Sequence, residues 1–308
     1  MPSIVRISFP YDQARGKQLH MRVHHLNTGT MCPASARLVN GSGRLFGRAR
    51  MVCHVLLVET RSDGLVLVDT GLGTGDIADP DRLGRTWVRM ARPRLDPAET
   101  AAARVRALGL EPDDVRHIAV THLDLDHAGG IPDFPRAAVH VHRREHAAAM
   151  ARTGRRATWR YVPGHWRHEP TWHLHDDGGE RWFGFDGVRS ILREPDILMV
   201  PLPGHTAGHS GIAVRAGDSW LLHAGDSYFF HGQMETPPRA PLVLRIFQRR
   251  ADTDRALRVA NQERLRHLVA AHAGEVTVFN AHDPVDFDRV ARVADIAPMP
   301  AVAPATPA

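Results

Sequence analysis

The sequence of 308 residues has only two cysteines, Cys32 and Cys53, and a single lysine, Lys17. Two cysteines are too few for a disulfide framework or a cysteine-based zinc cluster, so any metal must be held by histidine and carboxylate. No stretch reaches the roughly 18 consecutive apolar residues of a membrane-spanning helix, and the first residues lack the pattern of a signal peptide. We therefore expect a cytoplasmic protein that makes no contact with membranes.

The charge balance gives little reason to expect a nucleic-acid partner. The net charge is +5 and the pI is about 9.9, but the arginines are scattered along the chain and form no basic block. We expect a small-molecule substrate and no nucleic acid, and a homodimer stays open.

Eight short runs rich in valine, isoleucine and leucine are typical of β-strands. They are residues 52–58, 65–68, 115–120, 138–141, 197–202, 211–214, 220–222 and 276–279. One helix is expected to begin at Asp96, an N-cap residue followed by proline, and a second spans residues 252–271 with Leu257, Leu265, Leu268 and Val269 at core-facing spacing. Sheets covered by helices indicate the α/β class, with one domain over residues 1–296.

Two segments differ from the rest of that domain. Residues 152–187 hold four of the six tryptophans, and we interpret them as an aromatic-rich insertion or cap. The insertion suits a substrate-pocket wall or an oligomer contact, and a small satellite core under a long loop is an equal alternative. Residues 297–308 consist mainly of alanine, proline and valine and are expected to form a disordered tail.

The most informative stretch is residues 121–130, which directly follows a predicted strand and carries four metal-capable side chains. These are His122, Asp124, Asp126 and His127. Imidazole and carboxylate are the ligands that hold zinc, iron or manganese, and a strand-to-helix turn can direct all four toward one point.

One turn cannot complete a metal site, and further candidates follow three other predicted strands. His205 follows residues 197–202, Asp226 follows residues 220–222, and His282 follows residues 276–279. Because strand ends meet at one edge of a sheet, these side chains are expected to lie close together.

Five motifs in this order resemble the metallo-β-lactamase-fold hydrolases, and most closely their lactonase and glyoxalase II branch. The motifs are Val68-Asp69-Thr70-Gly71, His122-x-Asp124-x-Asp126-His127, Gly204-His205-Thr206, Gly225-Asp226 and Ala281-His282-Asp283. The resemblance implies a four-layer αββα sandwich with two divalent metal ions. It places His122, Asp124 and His205 on the first metal, Asp126, His127 and His282 on the second, and Asp226 between them. It also implies that Asp69 is buried and orients a ligand histidine.

The sequence departs from the family pattern at Asp124, where the usual motif has histidine. Asp124 adds a hard anionic ligand, so zinc remains the first expectation but manganese or iron becomes better tolerated. With three carboxylates, two divalent ions keep a net charge of +1 instead of +2, which makes a bound water less acidic. If Asp124 turns away, one metal is weakly held or lost.

The resemblance implies a dinuclear metal-dependent hydrolase in which a metal-bridging hydroxide attacks the carbonyl of a lactone or related ester. Asp126 is the candidate proton donor to the leaving group, and Tyr228 is a weaker candidate because the family's assisting tyrosine aligns with Phe229. Phosphodiester or phosphorylcholine hydrolysis, a glyoxalase II-like thioesterase and a degenerate metal-binding scaffold are the alternatives.

Overall fold

The structure is a computed structural model that describes residues 4–8, 21–193 and 196–295. The expected tail, residues 297–308, lies outside these ranges. The strands are β1 Ile4–Ser8, β2 Arg22–Asn27, β3 His54–Glu59, β4 Leu65–Val68, β5 Val115–Ala119, β6 Ala138–His142, β7 Trp172–His175, β8 Glu180–Trp182, β9 Phe185–Ser190, β10 Ile197–Pro201, β11 Ser210–Ala216, β12 Ser219–His223 and β13 Val276–Phe279.

These strands form two mixed sheets. The first has the order β1-β2-β3-β4-β5-β6-β7 and the second has the order β13-β12-β11-β10-β9-β8. Strands β4 to β7 run parallel to one another, and β12 runs parallel to β13, whereas the other pairings are antiparallel. Parallel neighbours bring several strand ends to the same edge of each sheet.

The helices are α1 Ala36–Val39, α2 Thr74–Ala78, α3 Arg85–Ala91, α4 Ala101–Ala107, α5 Leu125–Ala128, α6 Arg143–Ala151, α7 Gly154–Arg160, α8 Leu242–Ala251, α9 Arg255–Ala271 and α10 Pro284–Asp295. Short 3-10 turns occur at Pro80–Leu83, Pro97–Glu99, Pro112–Asp114, Ile131–Asp133, Pro163–Trp166 and His231–Met234. No helix in the described ranges has the length and apolar character needed to cross a bilayer.

Side-chain alternation explains how the layers stack. In β3, Leu56 and Val58 point into a core shared with Ile212 of the second sheet, while Val55 and Leu57 point to the other face. Because both faces are covered, the strand is an almost continuous apolar run. Helix α4 packs on the outer face of the first sheet and α9 on that of the second. The expected α/β sandwich of two sheets between helices is confirmed.

The predicted helices are present with shifted starts. Asp96 caps the turn Pro97–Glu99, and Thr100 caps α4 by accepting a hydrogen bond from the N–H of Ala103. Helix α9 begins after Asp254, which accepts the N–H of Leu257. Placing Leu257 in the core is wrong, because it lies in the first turn of α9 and is 48% exposed.

Residues 152–187, interpreted above as an aromatic-rich insertion or cap, contribute elements to both sheets. The segment supplies α7, the edge strand β7 of the first sheet, and β8 with the beginning of β9 at the edge of the second. Its aromatic residues divide accordingly. Trp172 packs on the core of the first sheet, Trp182 on the core of the second, and Trp159 on a third cluster beside α3.

Candidate metal centre

The seven predicted ligands lie just beyond the carboxyl ends of four strands. The turn after β5 carries His122, Asp124, Asp126 and His127, while β10, β12 and β13 are followed by His205, Asp226 and His282. The structure brings all seven together. Asp124 is the N-cap residue of α5, but its side chain accepts no capping hydrogen bond and is available to the site.

Two histidines are oriented by hydrogen bonds on their outer nitrogens. The Nδ1–H of His127 donates to Asp69 Oδ2 at 2.9 Å, and the Nδ1–H of His282 donates to the carbonyl oxygen of Val52 at 2.8 Å. Both rings therefore present an unprotonated Nε2 in their neutral form, and these two atoms lie 3.3 Å apart. Two lone pairs that face each other at this distance fit a cation between them.

Asp69 is held in a tight turn directly after β4. Its Oδ1 accepts the backbone N–H of Thr121 at 2.7 Å, and its Oδ2 accepts the Thr121 hydroxyl at 2.8 Å in addition to His127. Its φ of 60° is left-handed, a conformation that a non-glycine residue adopts at a cost. The turn thus fixes the carboxylate against the histidine that it orients.

Asp226 lies between two pairs of histidines, with one oxygen facing each pair. Oδ2 is 3.3 Å from His205 Nε2 and 3.7 Å from His122 Nε2. Oδ1 is 3.1 Å from His282 Nε2 and 3.4 Å from His127 Nε2. This division matches the arrangement of a carboxylate shared by two metal positions.

Asp124 also divides its two oxygens. Oδ2 lies 3.1 Å from His205 Nε2 and 3.5 Å from His122 Nε2, so these three residues form a compact triad. Oδ1 faces Nη1 of Arg160 at 3.3 Å. Asp124 does not turn away from the site.

The donor set fits divalent metal ions. The Nε2 atom of His122 is buried and has no hydrogen-bond partner among the described residues, although it faces two carboxylates. A buried polar atom without a partner is costly, and a cation at this point would satisfy it. Ligand atoms of His122, His127 and Asp226 form a second triad within 4.8 Å of one another.

Electrostatics within the cluster favour charged carboxylates. Burial alone would raise the pKa of Asp226, but the nearby His282 and His127 hold that pKa well below its usual range. Burial likewise opposes ionisation of Asp124, but Arg160 and His122 hold its pKa well below the usual value. Anionic oxygens that face imidazole nitrogens are suitable ligands for a divalent ion.

Asp126 lies on the cavity side of the cluster. Its Oδ2 is 3.7 Å from His282 Nε2, and its side chain is 13% exposed. Cys53, which sequence reasoning did not connect with the site, has its sulfur within 4.8 Å of a ligand atom of Asp126 and of His282. It lies just before β3, and no motif around it signals this position.

Tyr228 lies away from the reacting region, which corrects its proposed catalytic role. Its side chain is fully buried, and its hydroxyl donates to Asp286 Oδ2 at 2.8 Å. The neighbouring Phe229 lines the cavity and stacks on the ring of His282, with centroids 5.3 Å apart. Tyr228 packs in the core of the second sheet, whereas Phe229 packs in a separate cluster with Leu244.

His209 supports the site from behind the ligands. Its Nε2 accepts the backbone N–H of Asp226 at 2.9 Å, and its Nδ1–H donates to the carbonyl of Leu202. Gly225 makes this contact possible, since a Cβ there would lie 2.5 Å from His209 Nε2. The spacing of four residues from His205 was the only sequence signal, and it fits a structural turn equally well.

The cluster opens into a cavity of about 720 Å³. Asp124, Asp126, His205, Asp226 and His282 lie in its lining. Most of the remaining wall is apolar and includes Met31, Val39, Trp87, Met90, Trp159, Phe229, Leu244 and Phe247. Arg155, Arg156 and Arg250 line it as exposed side chains. The volume falls in the range of small-molecule sites.

Comparison with known structures shows the same fold. An N-acyl homoserine lactone hydrolase, solved with the product N-hexanoyl-L-homoserine at its catalytic metal center, superposes with a TM-score of 0.64 at 21% identity, covering 87% of this chain and 95% of that one. AidC, a dizinc quorum-quenching lactonase, has a TM-score of 0.57 at 16% identity and covers 92% of each chain.

Comparison of sequences shows the family. A probable metallo-hydrolase of Mycobacterium tuberculosis is 41% identical over 273 residues, which are 88% of this chain and 83% of the relative. An N-acyl homoserine lactonase of Rhizobium radiobacter is 27% identical over 231 residues, or 73% and 80% of the two chains. The family model for the metallo-beta-lactamase superfamily matches residues 48–272. With the metal-ligand cluster at the expected strand ends, the chain belongs to the metallo-beta-lactamase superfamily of metal-dependent hydrolases.

Proposed function

We propose that this chain is a dinuclear metal hydrolase that opens a lactone or cleaves a related carboxylic ester with an apolar acyl group. The observation that supports it best is the position of Asp226, whose two oxygens face two different pairs of histidines at the floor of an apolar cavity. One carboxylate that serves two metal positions is a recurring feature of two-metal hydrolytic sites.

The distances around Asp226 support the ligand assignment that the family resemblance implies. His122, Asp124 and His205 would hold one ion; Asp126, His127 and His282 would hold the other, with Asp226 between them. Two divalent ions, with zinc as the first choice, would polarise an ester carbonyl and supply hydroxide near neutral pH. The protein contributes fixed ligand orientation, which Asp69 and His209 provide through the hydrogen bonds described above.

The cavity favours an apolar acyl group over a polar one. Trp87, Met90 and Trp159 lie on its wall, and burial of each methylene group against such a surface contributes about 0.8 kcal/mol. A glutathione thioester, which carries several charged and polar groups, fits this lining less well. The Rhizobium radiobacter relative, named an N-acyl homoserine lactonase, is consistent with a substrate that combines a lactone ring with an acyl chain.

Asp126 is the proposed proton carrier. It lines the cavity, lies beside His282 and retains limited exposure to solvent. A carboxyl group at that position is able to pass a proton to the leaving oxygen and afterwards exchange it with water. Tyr228 does not take this role, because its hydroxyl is hydrogen-bonded to Asp286 away from the cavity.

Phosphodiester hydrolysis is the second candidate, and one observation favours it. Arg155, Arg156 and Arg250 line the cavity as exposed side chains, where they are able to bind a phosphate group. The additional carboxylate Asp124 also occurs in a branch of the family that resembles phosphorylcholine esterases. The same assay separates the two candidates.

The test is a substrate panel with zinc-, manganese- and iron-loaded protein. It contains N-acyl homoserine lactones with short and long chains, aryl esters, S-lactoylglutathione and bis(p-nitrophenyl) phosphate. We expect lactones to be the best substrates, with kcat/KM rising with chain length. A protein that cleaved only the phosphodiester would overturn the proposal in favour of the second candidate.

Two matched variants test whether the acyl chain of the substrate binds against the apolar wall of the cavity. Trp159 lines the cavity, whereas Trp172 comes from the same part of the chain and packs on the core of the first sheet. Trp159→Ala should lower kcat/KM for the long-chain lactone by about tenfold more than for the short-chain one. Trp172→Ala should affect both substrates equally. Equal losses in the Trp159 variant would show that the acyl chain binds elsewhere.

A further inference from the structure

Asp124 stands where the family motif usually has histidine, and its two oxygens have different environments. Oδ2 faces His205 and His122 at 3.1 and 3.5 Å, while Oδ1 faces the guanidinium of Arg160 at 3.3 Å. Only one oxygen is therefore directed at the proposed first metal position. The other lies within ion-pair distance of Arg160 and has no hydrogen-bond partner among the described residues.

Arg160 is fixed in this position by the protein. Its side chain is 2% exposed, its Nη2 donates to the carbonyl of Ala251 at 2.5 Å, and its Nη1 donates to the carbonyl of His205 at 3.3 Å. It is the last residue of α7, far in sequence from every metal motif. Two carbonyl acceptors hold the guanidinium plane, so Arg160 does not depend on Asp124 alone for its orientation.

We propose that Arg160 is a positioning residue that allows an aspartate, Asp124, to replace the usual histidine as a metal ligand. It holds Asp124 with a single oxygen toward the first metal, and it cancels the charge that the aspartate adds. This inference rests on the dinuclear ligand set of the proposed function. With three carboxylates alone, two divalent ions would keep a net charge of +1, and Arg160 returns it to +2, the value of the histidine-type site.

Other arginines near the cavity do not meet this description. Arg155, Arg156 and Arg250 are exposed, so solvent screens their charge. Asp124 is the carboxylate that lies within ion-pair distance of Arg160 among the described residues. An Arg–Asp pair that is almost fully buried therefore takes the place of one neutral imidazole.

The first experiment is a double-mutant cycle on the metal-free protein. Arg160→Met removes the permanent positive charge beside Asp124 and leaves it only two histidines, and Asp124→His leaves Arg160 without its ion-pair partner, so each should lower Tm by at least about 5 °C. The double variant should be no less stable than the weaker single variant, because both charges are then gone. Strictly additive losses would overturn the pairing.

The second experiment measures the charge of the centre without any substrate. The visible spectrum of the cobalt-substituted protein is titrated with pH, after cobalt content has been equalised between variants. Arg160→Met should raise the pH midpoint by about 0.5 unit or more, because a more negative ligand set makes water at the ion less acidic. Arg160→Lys and the double variant with Asp124→His should stay near the wild-type midpoint.

Arg258→Met is the matched control. Arg258 is also a buried arginine, but its ion-pair partner, at 2.6 Å, is Asp252 and not a predicted metal ligand. Its loss should lower Tm without moving the cobalt midpoint. An unchanged midpoint in Arg160→Met would show that Arg160 is structural only. Neither readout needs turnover, so a protein inactive on every lactone would refute the proposed substrate and leave this inference to be decided separately.

Discussion

Two clusters of histidines lie near the first sheet, and they differ in almost every property except residue type. One is the metal centre. The other, which we call the histidine ladder, consists of His117, His140 and His175 on the neighbouring strands β5, β6 and β7. His117 Nδ1 lies 2.9 Å from His140 Nε2, and His140 Nδ1 lies 3.1 Å from His175 Nε2.

His127 of the metal centre and His140 of the ladder differ in proton affinity. At the metal centre, burial would lower the pKa of His127, but Asp226 and Asp69 raise it well above the usual value. In the ladder, burial and the neighbouring histidines lower the pKa of His140 to about 3. The difference comes from carboxylates, which surround the first cluster and are absent from the hydrogen-bond chain of the second.

The two clusters also differ in the spatial arrangement of their side chains. The ladder nitrogens pair along a line across three strands, whereas the metal-centre ligands come from four strand ends that meet at one point. Among the described residues, every group of three metal-capable side chains with mutually close ligand atoms lies at the metal centre. A high histidine count is therefore a poor indicator of a metal site. Carboxylates directed at the same point as the histidines are the better indicator.

Removal of the shared carboxylate should give the largest effect. Asp226→Asn keeps the shape of the side chain but removes the charge that faces four imidazoles. We expect metal content to fall below two equivalents and kcat/KM to drop by at least about 1,000-fold. Metal analysis and steady-state kinetics measure both.

The matched change in the other region is Asp177→Asn. Asp177 faces a histidine next to the ladder, with Oδ1 3.2 Å from His142 Nε2. Its other oxygen pairs with the exposed Arg144, and neither partner is a predicted metal ligand, so its loss should alter metal content and activity less than about twofold. Equal effects of the two substitutions would refute the distinction between the regions.

Loss of an orienting carboxylate should have a smaller effect. Asp69→Asn replaces the acceptor that fixes His127, so metal affinity and activity should fall about 10- to 100-fold. Asp76→Asn is the control, because Asp76 is another buried aspartate hydrogen-bonded to a histidine, at 2.9 Å from His165 Nε2. It should reduce thermal stability but leave metal affinity unchanged, and competition with a chelator measures that affinity.

The sequence predicted the sandwich and the gathering of the ligands because both depend on local signals. Apolar runs of strand length and polar residues directly after them are visible in the chain itself. Asp124, Asp226 and His282 each follow such a run, and strand ends that share an edge bring them together.

Residues whose roles depend on distant packing were missed. Arg160 and Cys53 reach the centre from α7 and from the start of β3, and neither has a neighbouring motif that signals it. The contribution of segment 152–187 to both sheets was not predicted, because aromatic density looks the same in a cap and in edge strands that pack on two cores. Tyr228 lies in irregular backbone after β12, where no sequence pattern predicts that its hydroxyl donates to Asp286.

The smallest predicted effect is the loss of folding stability that the histidine ladder causes at acidic pH. The folded pKa of His140 is about 3 and that of His175 about 4, both below the unfolded value of about 6.5. The unfolded chain therefore takes up more protons as the pH falls below about 6.5, and the folded state loses stability. We expect the free energy of unfolding of metal-stripped protein to fall by about 1 to 2 kcal/mol between pH 6.5 and pH 5 on account of the ladder.

His140→Gln tests this, because glutamine keeps a donor and an acceptor but does not titrate. The pKa values of His127 and His282 are raised, so the stability that these two histidines contribute is lost as the pH rises, in the opposite direction. That contribution is common to both proteins and cancels in the difference between their denaturation curves. An equally steep loss of unfolding free energy in the variant would show that His140 does not cause the acid sensitivity. Loss of a metal equivalent in the variant would mean that the ladder binds an ion. This result would refute the distinction between a metal-binding cluster and a ladder that binds no metal.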